Sequence, residues 1–203
     1  MSIYEKPGKY FFEHPDPTAE EALKNIQRRA SGALARMNGI AFENIIEASL
    51  IWYEQKGLVC MKKTPEPMRP ISRPNKKGQF LACYEKKAQA DFGGTLYGGR
   101  SVKFEAKHTE SDKIEASRLT DEQEKDITKH HNLGAAAFVV VSFGLTDFYR
   151  IPWEVWRDMK KLFGYKHMKK KDCEPYRVEY IAGVIKLLDG IELKYNERKE
   201  ERA

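Results

Sequence analysis

The chain has 203 residues, a length for one domain of ordinary size, and 41% hydrophobic content is enough for a real core. Its formal net charge of +6 favours an anionic partner, nucleic acid first. No apolar run approaches the roughly 18 residues of a membrane span, and the N-terminal "MSIYEKPGKYFFEHPDP" lacks a signal-peptide core. The expectation is therefore a cytoplasmic protein with no membrane partner.

Residues 1–30 mix proline, glycine and charge without a steady period and are expected to form a mobile N-terminal arm. Arg28, Arg29 and Arg36 either touch phosphate there or lie in solvent. Asn38 is an expected helix cap. Phe42, Ile45, Ile46, Ser49, Leu50 and Tyr53 then recur on one helical face before Gly57 ends the helix. Glu43 and Glu47 lie beside that face, aimed into a site or out to solvent.

"LVCMKK", Leu58 to Lys63, reads as a strand. "TPEPMRPISRPNKKG", Thr64 to Gly78, is too dense in proline for helix or central strand and is expected to leave the sheet as an extended excursion. Arg69, Arg73, Lys76 and Lys77 make it a basic arm suited to a DNA backbone, with a solvated surface loop as the alternative. "FLACYEK" is expected to return toward the core. Beyond the hairpin described below, "TESDKIEAS" reads as a polar loop, and Thr120-x-x-Gln123 as a capping box opening a helix to about His131.

"AAAFVVVSF", Ala135 to Phe143, has the composition of a strand buried on both faces, with "DFYRI" beside it. Pro152 suits the first turn of a helix through Trp153 and Trp156. "GYKHMKKKD" is strongly basic, and the residues from about 190 to 203 are charged enough to fray. The order predicts a single α/β domain over 1–203, a mixed central β-sheet flanked by helices. Neither a solenoid-period repeat nor a glycine-rich nucleotide loop is present, which argues against an ATP-driven machine and against a nucleotide cofactor. Cys60, Cys83 and Cys173 lack C-x-x-C spacing and read as reduced and structural. His130-His131-Asn132 only faintly resembles a histidine–metal nuclease motif.

The chemistry concentrates in "ADFGGTLYGGRSVKFEAKH", Ala90 to His108. Gly98-Gly99 accepts the positive φ of a tight hairpin turn. In the second run Val102, Phe104 and Ala106 alternate with Ser101, Lys103, Glu105 and Lys107, so Glu105 and Lys107 share a face. Folding the hairpin brings Asp91 toward Glu105. Close carboxylates repel unless a cation lies between them. Hard oxygen donors suit Mg²⁺, which takes one or two protein carboxylates and completes its shell with water and substrate phosphate. A lysine alongside orients water or offsets charge growing on phosphorus. The reading is phosphodiester hydrolysis; the alternative is an exposed strand face with an ordinary Glu–Lys pair.

Asp91, a hairpin and Glu105-Ala106-Lys107, with a helix carrying Glu43 before them and one carrying Gln123 after, resemble the PD-(D/E)xK nuclease core. Within that superfamily the chain resembles the RecU-type Holliday junction resolvases of Gram-positive bacteria and their phages, from about Asn38 to Trp156. The blocks "NGIAFEN", "KKTPEP", "ADFGGTLYGGRSVKFEAK", the Gln123 helix and "FVVVSFGLTDFYRI" stand in the family's order.

The resemblance implies a restriction-endonuclease-like core with a protruding basic stalk. It implies a homodimeric, Mg²⁺-dependent endonuclease, with Mn²⁺ as an expected substitute, that nicks two like-polarity strands of a four-way DNA junction during recombination and repair. Asp91, Glu105, the Ala106 carbonyl and Glu43 would hold the metal. Lys107 would orient the attacking water, and Gln123 would position water or phosphate or simply cap its helix. The 64–78 stalk, with Arg69, Arg73, Lys76 and Lys77, would enter the junction's open centre. Two departures stand out: Ala90 lies where relatives often carry threonine, and the arm holds more proline. A nuclease of the same superfamily acting on duplex or flapped DNA, or a non-enzymatic DNA-binding protein, are the rivals. Acids facing phosphate argue against the latter, because pure binding gains nothing from them.

Overall fold

In the computed structural model a long helix, α1 (Ala19–Gln55), leads into β1 (Val59–Lys63), then β2 (Met68–Pro70) and β3 (Ala82–Tyr84), and then β4 (Phe92–Leu96) and β5 (Ser101–Thr109). The chain continues through β6 (Lys113–Glu115), α2 (Asp121–Asn132), β7 (Ala136–Phe143), β8 (Asp147–Pro152), α3 (Trp153–Arg157) and α4 (Met159–Phe163). It closes with β9 (His167–Lys169), α5 (Lys170–Cys173), β10 (Arg177–Val178), β11 (Tyr180–Ile181) and β12 (Val184–Ile185). The structure describes residues 19–65, 67–84 and 89–191. The expectations for residues 1–18 and for the charged tail from 192 lie outside the described residues. The chain divides into two units, Met1–Arg36 and Met37–Ala203.

The main sheet is six-stranded in the order β1-β4-β5-β7-β8-β10. Its pairings are antiparallel apart from β5 with β7, which run parallel and are joined through α2. A parallel pair needs a crossover of this kind because no short turn can reverse the chain twice. The mixed sheet flanked by helices is thus the predicted architecture.

Both faces of the sheet are covered, and strand periodicity decides which residues meet which helix. Val102, Phe104 and Ala106 of β5 join Phe42, Ile46, Leu50 and Tyr53 of α1 in one core. Val139, Val141 and Ile151 join Ile127 of α2, Trp153, Trp156 and Met168 in the other. Burial of β7 on both sides explains its unbroken apolar run. Phe92, Phe104 and Phe138 stack in series across β4, β5 and β7, each neighbouring pair of centroids 4.9 Å apart. That ladder pins the register, since a slip of one residue in any of these strands would turn its ring to the opposite face.

Several local expectations are corrected. Asn38 is not a helix cap but an interior residue of α1, where its amide donates to Glu110 at 2.7 Å. Residues 19–30 of the expected N-terminal arm are helical for the same reason: α1 starts well before Asn38. "TESDKIEAS" contains a strand, β6, which pairs with β9 from the basic "GYKHMKKKD" segment. Ala82–Tyr84 does not return to the core but pairs with Met68–Pro70, so the excursion is a two-stranded ribbon longer than 64–78. Pro152 ends β8 and stands as N-cap of α3 instead of inside its first turn.

Candidate active site

The hairpin β4/β5 turns at Gly98 and Gly99, both at positive φ (86° and 88°), a conformation that side chains with a Cβ rarely adopt. From that turn the register runs back through Thr95 opposite Ser101 to Phe92 opposite Phe104. The ladder stops there. Beyond Phe104, β5 continues for five residues, Glu105 to Thr109, past the start of β4. Asp91, one residue before β4, is set against this free edge. Its Oδ2 accepts the Ala106 N–H at 3.2 Å, and its own N–H donates to Glu105 Oε2 at 3.0 Å. The aspartate carboxylate takes the place of a missing strand.

Glu105 is fully buried and Asp91 is 3% exposed. Burial first, and then the charge of Asp91, push the Glu105 carboxyl up to about 7, while Lys107 opposes them. Lys107 Nζ donates to Glu105 Oε1 at 2.7 Å, its side chain 15% exposed. The predicted convergence of two carboxylates and a lysine is therefore present.

Gln123 is brought into the same cluster by the start of α2. Its backbone N–H donates to Thr120 Oγ1 at 3.3 Å, and its side-chain oxygen accepts the Thr120 N–H at 3.0 Å, a complete capping box. Its side-chain Nε2 donates to Glu105 Oε1. The amide oxygen thus serves the cap read from the sequence, and the nitrogen holds Glu105.

Glu43, on α1, is bonded to Lys63 at 2.5 Å. Lys63 stands opposite Phe92 in the β1/β4 ladder, and the Thr64 N–H donates to the Asp91 carbonyl at 2.8 Å. Glu43 therefore reaches the end of β1 that flanks Asp91, through Lys63 of the "KKTPEP" block, to which sequence alone assigns no role. Asp126 is a second residue missed by sequence reasoning. Its Oδ2 accepts the Ala90 N–H at 3.1 Å, so α2 grips the segment before Asp91 one turn after it grips Glu105. The only signal was its position three residues after Gln123.

Arg69, Arg73, Lys76 and Lys77 lie apart from this cluster, exposed on the β2/β3 ribbon and its tip. The tip is ordered by Asn75, whose Oδ1 accepts the N–H groups of Lys77 at 2.9 Å and Gln79 at 3.0 Å. Gly78 supplies the positive φ of 76° there. His130 and His131 interact with Asp126 and Glu154 at 3.9 and 3.4 Å, surface contacts on α2. Among the described residues the three cysteines are free thiols. Among them too, no helix is long and apolar enough to cross a membrane.

No group of three histidine, cysteine or carboxylate ligands is gathered among the described residues. Asp91 and Glu105 nevertheless fit a hard ion that asks for only one or two protein carboxylates. Burial and then the Asp91 charge raise the proton affinity of Glu105, and a cation beside the two carboxylates would favour the ionised form.

A family model, RecU: recombination protein U, matches residues 37–196. No curated protein matches the chain in sequence. Among solved structures, the chain is similar to Hjc of Archaeoglobus fulgidus, a Holliday junction resolvase from an archaeal hyperthermophile. The identity is 12%, with 68% of this chain and 89% of that chain covered and a TM-score of 0.41.

Proposed function

The chain belongs to the RecU family of Holliday junction resolvases, and on that premise we propose that it is a Mg²⁺-dependent endonuclease that cuts four-way DNA junctions by paired nicking. The observation that carries this reading is the bonded cluster of Asp91, Glu105, Lys107 and Gln123 at the free edge of β5. We assign the catalytic unit to one nuclease domain from Met37 onward, acting in the cytoplasm.

Asp91, Glu105 and the Ala106 carbonyl would hold the ion, with Glu43 reaching it directly or through water. When bound, Mg²⁺ supplies positive charge that offsets the two carboxylates and polarises a non-bridging phosphate oxygen. Mn²⁺ has the same preference for oxygen donors and would substitute. Lys107, held beside Glu105, donates to the attacking water and orients it toward phosphorus. Gln123 keeps Glu105 in one rotamer, so the carboxylate is positioned before substrate arrives. Lys63 keeps Glu43 at the end of β1. The β2/β3 ribbon, with Arg69, Arg73, Lys76 and Lys77, enters the open centre of the junction and supplies selectivity for it.

A junction with two-fold symmetry needs two cuts of like polarity, which calls for two active sites related by a two-fold axis and hence a C₂ homodimer. Sedimentation of the active protein should give twice the mass of the 23.5 kDa chain. The decisive assay is cleavage of end-labelled four-way junction, duplex and flapped DNA with and without Mg²⁺. Symmetrical nicking of the junction alone, dependent on the ion, is the expected result. Equal cutting of duplex or flap would place the enzyme with other nucleases of this core.

A further inference from the structure

We propose that the two-stranded ribbon β6/β9, with the turn before it and the helix after it, is a second DNA-backbone surface that carries the duplex arm next to the cut. The inference rests on the nuclease reading above and extends it to a surface outside both the carboxylate cluster and the stalk.

The ribbon pairs Lys113 with Lys169, Ile114 with Met168 and Glu115 with His167. Ile114 and Met168 are buried in the core against α2 and β7, so strand alternation turns Lys113, Lys169, Glu115 and His167 outward. Two lysines therefore stand directly opposite each other. Like charges in that position destabilise a ribbon unless an anion lies between them, and Glu115 answers Lys113 alone. Lys166 and Lys171, both exposed, extend the patch on either side of β9.

The acids nearby take up Lys113 and leave Lys166, Lys169 and Lys171 as the cations of the surface. Glu115 is occupied by Lys113 at 2.7 Å. Asp172 accepts the Lys169 N–H at 2.9 Å and the Tyr165 hydroxyl at 3.3 Å. Lys170 is spent on Asp147 at 2.7 Å and is left out of the surface. Tyr165 stacks on His167 with centroids 4.2 Å apart, and Lys169 lies 5.7 Å from the Tyr165 ring. These contacts hold the basic turn in shape.

The position of the patch chooses duplex DNA over other anionic partners. The Ala116 N–H donates to the Lys166 carbonyl at 2.9 Å, which fastens the turn to the segment leading from β6 to α2. Burial and Asp121 push the Glu124 carboxyl above its ordinary value, and Lys166 opposes them. Glu124 follows Gln123, whose amide is on Glu105. β6 itself begins four residues beyond the end of β5, the strand that carries Glu105 and Lys107. A DNA strand with a phosphate at the carboxylates would continue past Lys166 onto Lys169.

The test is the salt dependence of binding, measured by fluorescence anisotropy with labelled duplex and four-way junction, for wild type and for Lys166→Gln/Lys169→Gln/Lys171→Gln. Each lost phosphate contact flattens the slope of log affinity against log salt by about 0.9. The variant should lose about two to three units of slope on both substrates, bind both about tenfold or more weakly at physiological salt, and still cut when saturated. An unchanged slope on both substrates overturns the proposal, as does a loss confined to the junction. Should the triple variant fail to fold, Lys166→Gln/Lys171→Gln, outside the strands, should flatten the slope by about one to two units; no flattening is again decisive against it. The two readings fail separately. A wild type that cuts no junction while the slope still flattens sinks the resolvase reading alone, and junction cutting with an unchanged slope sinks the ribbon alone.

Discussion

Phe92 and Phe104 lie face to face across β4 and β5, their centroids 4.9 Å apart and their planes within 11°. They are register partners. In an antiparallel pair the next residues outward are Asp91 and Glu105, on the opposite face. The aromatic ladder of one core thus places the two carboxylates of the site on its other side. The packing that stabilises the sheet also sets the spacing of the acids.

Asp91→Asn and Glu105→Gln should each lower cleavage of a four-way junction by at least about a hundredfold, since even outer partners of metal ligands cost ten- to a hundredfold. Junction binding should persist or tighten, because each change removes negative charge. Gel shift and single-turnover cleavage on one substrate check this. Retained turnover in both variants would defeat the site assignment.

Metal binding should be coupled to proton release through Glu105. Its carboxyl is raised to about 7 in the fold, against an ordinary 4.5. In the metal-free protein the native state therefore binds the proton more tightly than the unfolded chain does. The contribution of this group to stability is full below the ordinary value and is lost as pH rises through about 7. The ion needs the carboxylate, so affinity for Mg²⁺ should rise with pH over that window. Calorimetric titration in buffers of different ionisation enthalpy should find about one proton released per ion at about pH 6 and close to none at about pH 8.

Thr120→Ala and Gln123→Ala separate cap from site. Both lose the capping box, at about 1 kcal/mol each. Only the second removes the amide that holds Glu105. Denaturant midpoints should move alike, while cleavage falls about tenfold or more for Gln123→Ala alone. Equal activity losses would mean that Gln123 matters only as a cap.

Gly94→Ala should be among the most damaging small substitutions outside the site. A Cβ at Gly94 would stand 2.1 Å from the Cys60 carbonyl oxygen and 2.6 Å from Met61 Cα, both backbone atoms of the paired strand β1. That clash is relieved only by parting β1 from β4, and a cost of about 3 kcal/mol or more is expected. Equilibrium unfolding in urea gives the number. A change within about 0.5 kcal/mol, the range of ordinary surface substitutions, would show that the strands separate easily.

Replacing Arg69, Arg73, Lys76 and Lys77 with glutamine should weaken four-way junction binding far more than duplex binding, since only a branched substrate offers an opening for the ribbon. Competition binding with both DNAs decides it. A uniform loss would make these residues generic phosphate contacts, at about 0.9 units of salt slope each.

Much of this was legible in one dimension because it rests on local chemistry. Alternation in "SVKFEAKH" placed Glu105 and Lys107 on one face, paired glycines marked the turn, and Thr120-x-x-Gln123 marked a helix start; each depends on neighbours within a few residues. The mixed sheet followed from the order of elements. Other features depend on partners distant in sequence. Asn38 has the chemistry of a cap but bonds Glu110, 72 residues away, because α1 continues through it. β6 is too short and polar to signal a strand, and exists because β9 pairs with it more than fifty residues later, in the register of Lys113 with Lys169. Asp126 carries no motif, and only the folded sheet brings it to Ala90 and Lys63 to Glu43. The sequence by itself determined which groups can do chemistry on phosphate and which face of β5 bears them. Only the tertiary structure decided that Glu105 is buried against Asp91, with its proton affinity raised, and that one glutamine caps α2 and grips Glu105 at once, since burial and long-range hydrogen bonds are properties of packed elements and not of spacing.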